Sequence, residues 1–262
     1  MTGGFWQKIV APIAIGIVVL ALWEFIVRRA GIAPYLLPGP ILILQTLIDD
    51  WGTLLPSLWI TLEITLLALL AAVVVGGLLA ILFTQSKWLE LSLLPYAIVL
   101  QVTPIVAIAP LILIWVNNTL ASLLICAWIV AFFPILSNTI LGLNSADRNL
   151  VSLFKLYGAG RWQTLIHLRL PAALPYFLSG LRISGGLSLI GAIVAEFVAG
   201  TGGTASGLAF RILEAGYQLK VPRMFAALVL ISLSGIVIFL ALSLLSHLLL
   251  RRWHESELGR DN

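Results

Sequence analysis

Residues 57–83 read SLWITLEITLLALLAAVVVGGLLAILF, a run whose only charged residue is Glu63. A helix needs about 20 consecutive apolar residues to cross the hydrocarbon layer, and this run is long enough with turns to spare. Gly76 and Gly77 interrupt its side chains but not its apolar character. Working outward, five more runs of the same kind occur at about 9–27, 91–116, 119–143, 174–199 and 224–249. The expected fold class is an all-α integral membrane protein of about six transmembrane helices.

The composition of all 262 residues agrees: 61% hydrophobic, 10% charged, mean hydropathy +1.10. A soluble domain carries roughly 25% charged residues to cover its core. The net charge of +4 is not gathered into a basic patch beside aromatic residues, so a nucleic-acid partner is not expected. Cys126 is the single cysteine and lies in an apolar run. That excludes an internal disulfide and any C-x-x-C redox or metal motif. The run Ile9–Val27 exceeds the h-region of a signal peptide and ends in Arg28-Arg29 instead of small residues, so it reads as a retained span.

Six spans place both termini on one side. Lys8, Lys87, Arg148, Lys155, Arg161, Arg169, Arg182, Arg251, Arg252 and Arg260 then share that side. Arg28, Arg29, Arg211, Lys220 and Arg223 fall on the other. The positive-inside bias puts the larger set, and both termini, in the cytoplasm. Span three holds Pro104 and Pro110, and span four holds Pro134. Prolines free a backbone carbonyl, which suits kinked helices inside a bundle.

Outside the spans, Leu37-Pro38-Gly39-Pro40 breaks any helix and precedes an amphipathic stretch, Ile41 to Trp51, expected to lie along the interface. The cluster Gly200-Thr201-Gly202-Gly203-Thr204 lacks the lysine of a phosphate-binding loop. It reads as a turn before a short helix at about 205–217. The longest cytoplasmic connection, 144–173, differs from everything else. From Leu150 to Arg182 the chain reads LVSLFKLYGAGRWQTLIHLRLPAALPYFLSGLR, with apolar residues alternating with Lys155, Arg161, Gln163, His167 and Arg169. Two short helices meeting at a turn around Gly158 and Gly160 are expected, with Pro171 ending the second.

This loop resembles the cytoplasmic loop of ABC importer permeases, whose motif is Glu-Ala-Ala, three residues, Gly, nine residues, Ile-x-Leu-Pro. Anchored on Leu170-Pro171, the Ile position falls on Leu168 and the glycine on Gly158, and both spacings hold. The Glu-Ala-Ala positions fall on Ser152, Leu153 and Phe154, so the opening of the motif is not kept. Gln101-Val102-Thr103-Pro104, Ala109-Pro110, Phe133-Pro134 and the run Gly191 to Phe197 extend the likeness over nearly the whole chain. Together they resemble the nitrate, sulfonate, taurine and bicarbonate branch, which includes carriers of thiamine pyrimidine precursors, riboflavin and aromatic acids.

The resemblance implies a type I importer architecture in one domain, 1–262, with a core at about 57–250, an interfacial outer helix and a cytoplasmic coupling helix. It implies a second permease copy (a homodimer), two cytoplasmic ATPase subunits and an external or periplasmic substrate-binding protein. The implied location is the bacterial inner membrane. This chain would bind no cofactor and catalyse nothing itself; ATP and Mg would sit on the ATPase. By the same resemblance Gly158, Ala159, Gly160, Arg161, Leu168, Arg169, Leu170 and Pro171 would carry the coupling. ATP would drive the switch by favouring one global state.

Ionisable and polar residues inside spans are costly and mark function by default. Gln101, Thr103, Asn138, Ser184, Ser188 and Glu196 are the candidates for pathway or gate, with Gly185 and Gly186 allowing close helix approach. Glu24 and Glu63 sit nearer the outer ends. No lysine or arginine is expected mid-membrane, which leans toward an organic solute such as a nitrogen heterocycle; the resemblance implies a pyrimidine, riboflavin, a sulfonate or a taurine-like compound. Nitrate or bicarbonate is the alternative. An ion-driven secondary transporter is the competing class, although the two halves show no clear repeat. An enzyme would need a nucleophile and base, or metal ligands, facing one cavity. His167, His247 and His254 with an isolated Cys126 make no such set. A bare membrane anchor would have no use for the Gly158–Pro171 loop.

Overall fold

The computed structural model describes residues 3–200 and 206–251, with side chains from residue 10 onward. Thr201 to Thr204 of the glycine cluster, Arg252, His254 and Arg260 lie outside the described residues, as does the Lys8 side chain. The described residues are helices and their connections, with no strand. Five helices are long and apolar enough to cross a membrane, and six if one bent pair counts as a single span. The chain divides into two compact units, Met1–Trp59 with Gly202–Ile231, and Ile60–Thr201 with Ser232–Asn262.

In the first unit, α1 (Gly3–Arg29) is exposed from Val10 to Leu22, turns Trp23 and Val27 inward, and ends in Arg28 and Arg29. The break comes where expected. Gly39 is extended and Pro40 opens α2 (Pro40–Asp49), where its fixed φ suits the first helical position. Glu24 accepts from the Ile41 backbone N–H at 3.1 Å and pairs with Arg28. A Cβ on Gly39 would meet that carboxylate at 2.5 Å. Residues 41–49 of the expected amphipathic stretch lie in α2, with Ile43 buried in the unit's core while apolar Ile41, Leu44 and Ile48 stay exposed alongside Gln45 and Asp49. Asp50 divides α2 from α3 (Trp51–Gln85) and takes both Arg223 Nε and Nη2 at 2.6 Å. A bidentate pair of this kind fixes direction as well as distance. The predicted short helix is present as α10 (Leu208–Tyr217), whose Arg211 reaches Ser57 and Glu214, each at 2.9 Å. Ile43, Leu54, Leu208, Ala226, Ala227 and Leu230 fill this unit's core, the last three from the start of α11 (Val221–Leu250).

In the second unit the third predicted span is not one helix. It is α4 (Lys87–Val102) followed by α5 (Ile105–Trp115), bent by 103°. Pro104 supplies no N–H and pushes Thr103 out of the helical region, and Thr103 is extended at φ −72°, ψ 122°. Ser86 caps α4, and Asn118 caps α6 (Thr119–Asn144) by accepting from Ala121 N–H at 2.9 Å.

The fifth span also departs from expectation. Helix α7 (Arg148–Leu156) is separate, but α8 (Arg161–Thr164) runs through a π-helical turn, Leu165–Arg169, directly into α9 (Leu170–Ala199). Pro171 therefore does not end a short helix; it sits in the first turn of α9. A proline ring inside a helix collides with the carbonyl four residues back. The wider turn over Leu165–Arg169 gives that carbonyl room, so the helix continues past Pro171.

The centre of this unit is the antiparallel pair α6 and α9. Hydrocarbon tails are as apolar as leucine, so close contact, not water exclusion, holds membrane helices together. Small residues let the backbones meet. A Cβ on Gly142 would lie 2.8 Å from Ala173 Cα, one on Gly180 2.7 Å from the Pro134 carbonyl oxygen, and one on Gly191 2.8 Å from Ala127 Cα. Between these points Ser184 donates to the Ala131 carbonyl at 2.6 Å.

Candidate functional site

Helix α7 starts at Asp147, which accepts from the Asn149 N–H at 2.7 Å. It ends because Gly158 takes φ +72°. Gly158 N–H donates to Lys155 and Ala159 N–H to Phe154, at 3.0 and 2.9 Å. This paired pattern satisfies the last carbonyls and needs a left-handed residue after the cap. Gly160 then opens α8, with the Gln163 side chain reaching back to its N–H at 2.7 Å. Hydrogen bonds thus set the 157–160 turn, with Gly158 facing open space and Ala159 half-buried. Leu156, Tyr157 and Trp162 are 85%, 83% and 66% exposed. Large apolar side chains exposed together on a hydrogen-bonded turn are a surface of the kind that partners cover.

The expected coupling residues split along this segment. Gly158, Ala159 and Gly160 build the turn, and Arg161 begins α8. Leu168 and Arg169 lie in the π turn, and Leu170 and Pro171 head α9. Leu165, 1% exposed, anchors the junction into the core. Sequence reasoning passed over Leu156, Tyr157 and Trp162, although apolar residues flanking glycines in a basic segment were a signal that could have found them.

The pathway candidates are not brought together at one site. Gln101 and Thr103 share a cavity of about 320 Å³ at the α4–α5 break, closed by Val130 and Pro134 of α6 and Leu187 of α9. Thr103 donates to the Val99 carbonyl at 2.7 Å, which keeps its hydroxyl turned toward its own helix. Asn138 donates to the Pro134 carbonyl at 2.9 Å. Ser184 and Ser188 are fully buried; Ser184 bonds the Ala131 carbonyl of α6 and so joins the two helices, whereas Ser188 bonds Gly185 of its own helix. Gly185 is packed against Leu242 of α11, whereas Gly186 faces open space.

Glu196, 2% exposed, accepts from the Thr61 hydroxyl at 2.8 Å. A buried carboxylate needs such donors. The bond ties the C-terminal end of α9 to α3, and Thr61, which no motif had pointed to, becomes part of the site. Glu63, two residues on, lies on the exposed face of α3.

The comparisons with known proteins agree with this architecture. The family described as binding-protein-dependent transport system inner membrane component matches residues 72–255. The chain is 34% identical to the formylaminopyrimidine transport permease protein ThiX of Halalkalibacterium halodurans, over 91% of this chain and 94% of that one. It is also 34% identical to the riboflavin transport system permease protein RibX of Chloroflexus aurantiacus, over 96% and 92%. Among solved structures, an amino acid ABC transporter crystallised with histidines superposes with a TM-score of 0.62 at 21% identity, covering 79% of this chain and 97% of that one. That likeness establishes a shared fold. The α6–α9 core, the glycine turn and these matches lead to one conclusion: the chain belongs to the binding-protein-dependent transport system inner membrane components, as a multi-pass permease subunit of an ABC importer.

Proposed function

We propose that the chain pairs with a second copy of itself and forms the membrane pathway for a small organic solute, a nitrogen heterocycle, delivered by a binding protein. Two cytoplasmic ATPase subunits, holding ATP and Mg, drive it. Both termini and the 157–160 turn face the cytoplasm. The observation that carries this reading is the turn itself: a hydrogen-bonded loop that presents Leu156, Tyr157 and Trp162 to solvent. An ion-driven carrier has no need of such a surface. Gly158, Ala159, Gly160 and Arg161 make the contact with the ATPase. Leu168, Arg169, Leu170 and Pro171 pass movement into α9 through a helix without a break.

The solute class is supported by the names of the two relatives above, whose cargoes are a formylaminopyrimidine and riboflavin. Arg182 lies inside α9, so the expected absence of a mid-membrane cation does not hold and lends the solute class no support. Gln101, at the helix break, would meet an uncharged polar ring, and Thr103 would do so on releasing the Val99 carbonyl.

Co-expression with the ATPase encoded beside this chain tests the reading. Wild type is expected to copurify with it and to raise its ATP turnover when loaded binding protein is added. Gly158→Pro, which cannot adopt φ +72°, should lose that stimulation. No association with any neighbouring ATPase would count against the proposal.

A further inference from the structure

The coupling segment and the membrane core share a feature that solute transport does not use. Between α3, α4, α7 and the α8–α9 junction lies a polar cavity of about 500 Å³, lined by Thr84, Gln85, Lys87, Lys155, Arg161 and Arg169. Lys87 is paired with Glu90 at 2.9 Å. Lys155, Arg161 and Arg169 have no ion-pair partner among the described residues. Three uncompensated cations around one cavity repel each other, and an anion placed among them relieves that repulsion.

A second cavity, of about 430 Å³, is almost wholly apolar and lies along the same two long helices. Val74, Gly77 and Ile81 of α3 form one wall, and Leu170, Ala173 and Phe177 of α9 the other. The two cavities are in register. Ile81 of the groove is one turn from Thr84 and Gln85 of the basic cavity, and Leu170 of the groove follows Arg169 directly. From Val74 to Ile81 the groove runs about 10 Å along the helix axis at 1.5 Å per residue. Its basic end coincides with the end of the apolar run of α3, and Trp88 beside it is 73% exposed, as tryptophans are at the headgroup level.

We propose that these paired cavities form a binding site for one anionic phospholipid, with an acyl chain between α3 and α9 and the headgroup phosphate among Lys155, Arg161 and Arg169. Neither part alone selects this ligand. The cations alone would suit any phosphate, and the groove alone any apolar segment. The order of the two along α3 and α9 matches a molecule that is anionic at the interface and apolar below it. The site spans the π turn, so its occupant bridges the coupling segment and the core and stiffens the junction between them. The assignment depends on neither the solute nor the identity of the ATPase.

The test uses the assembled transporter purified in mild detergent, with retained lipid measured by native mass spectrometry after exchange into phosphatidylglycerol or phosphatidylcholine. Wild type should retain phosphatidylglycerol at least ten-fold better. The K155Q variant should lower that preference several-fold while the ATPase still copurifies, since Lys155 is exposed and, unlike Arg161 and Arg169, is not among the coupling residues. Gly77→Leu should lower lipid retention several-fold by filling the groove, because a Cβ on Gly77 meets nothing within 4 Å. In wild type, glycerol phosphate, which has a headgroup and no chain, should not displace the lipid at equal concentration. Equal retention of the two lipids would overturn the proposal. So would full displacement by glycerol phosphate, which would indicate a soluble phosphate site. Disulfide crosslinking of two copies through Gly77→Cys would show a second chain in the groove and would overturn it as well.

Discussion

Gly158 and Thr61 show how single residues set this protein's behaviour. Gly158 stands at φ +72° with nothing within 4 Å of where a Cβ would sit, so a side chain there is resisted by backbone strain and not by crowding. A left-handed residue other than glycine costs roughly 1–2 kcal/mol. Gly158→Ala is expected to cut ATPase stimulation several-fold while the melting temperature of the purified permease falls by only a few degrees. An unchanged stimulation would mean the turn's shape is unimportant. Thr61 acts through burial instead. Thr61→Val removes a hydroxyl donor from buried Glu196 and should destabilise the permease by about 1–3 kcal/mol. Thr61→Ser should restore most of this in the same thermal melts. A Val variant as stable as wild type would show that the bond carries little.

At the scale of elements, the tight seam between α6 and α9 makes a graded prediction. Gly180→Ala puts a methyl 2.7 Å from the Pro134 carbonyl oxygen, and forced repacking of this kind costs about 1–3 kcal/mol. Gly186→Ala, one and a half turns away on the same helix and facing open space, should leave the melting temperature within a degree or two. If both variants behave alike, backbone approach is not what holds the pair. The helices themselves were legible because hydropathy alone specifies a span, and α3, α6 and α11 came out within a few residues of their apolar runs. Two junctions were not. Apolar character continues through Thr103-Pro104, so hydropathy could not report that the backbone turns by 103° there. At Leu170-Pro171 the error ran the other way, because a proline reads as a stop unless the turn before it is known to widen. The Glu196–Thr61 bond was hidden for a different reason: partners 135 residues apart leave no trace in spacing.

At the scale of the whole chain, orientation and energy source remain to be measured against the proposal. Cys126 is buried, so a cysteine introduced elsewhere can be labelled over a quiet background. Leu156→Cys should react with an impermeant maleimide only when the cytoplasmic face is open to it, and Leu36→Cys only from outside. Labelling of both from one side would reverse or break the assigned topology. The exposed apolar faces of α1 and α11 suit a chain that works surrounded by lipid and by other subunits. Which faces meet which partner follows from assembly, and a single sequence does not encode it.

Solute uptake into proteoliposomes containing the permease, its ATPase and its binding protein is the most direct test of the central claim. The account predicts accumulation that requires ATP inside and binding protein outside, competes with pyrimidine or flavin compounds, and persists when ionophores collapse every ion gradient. Uptake that stops with the ionophores and proceeds without ATP would contradict it and identify an ion-driven carrier instead.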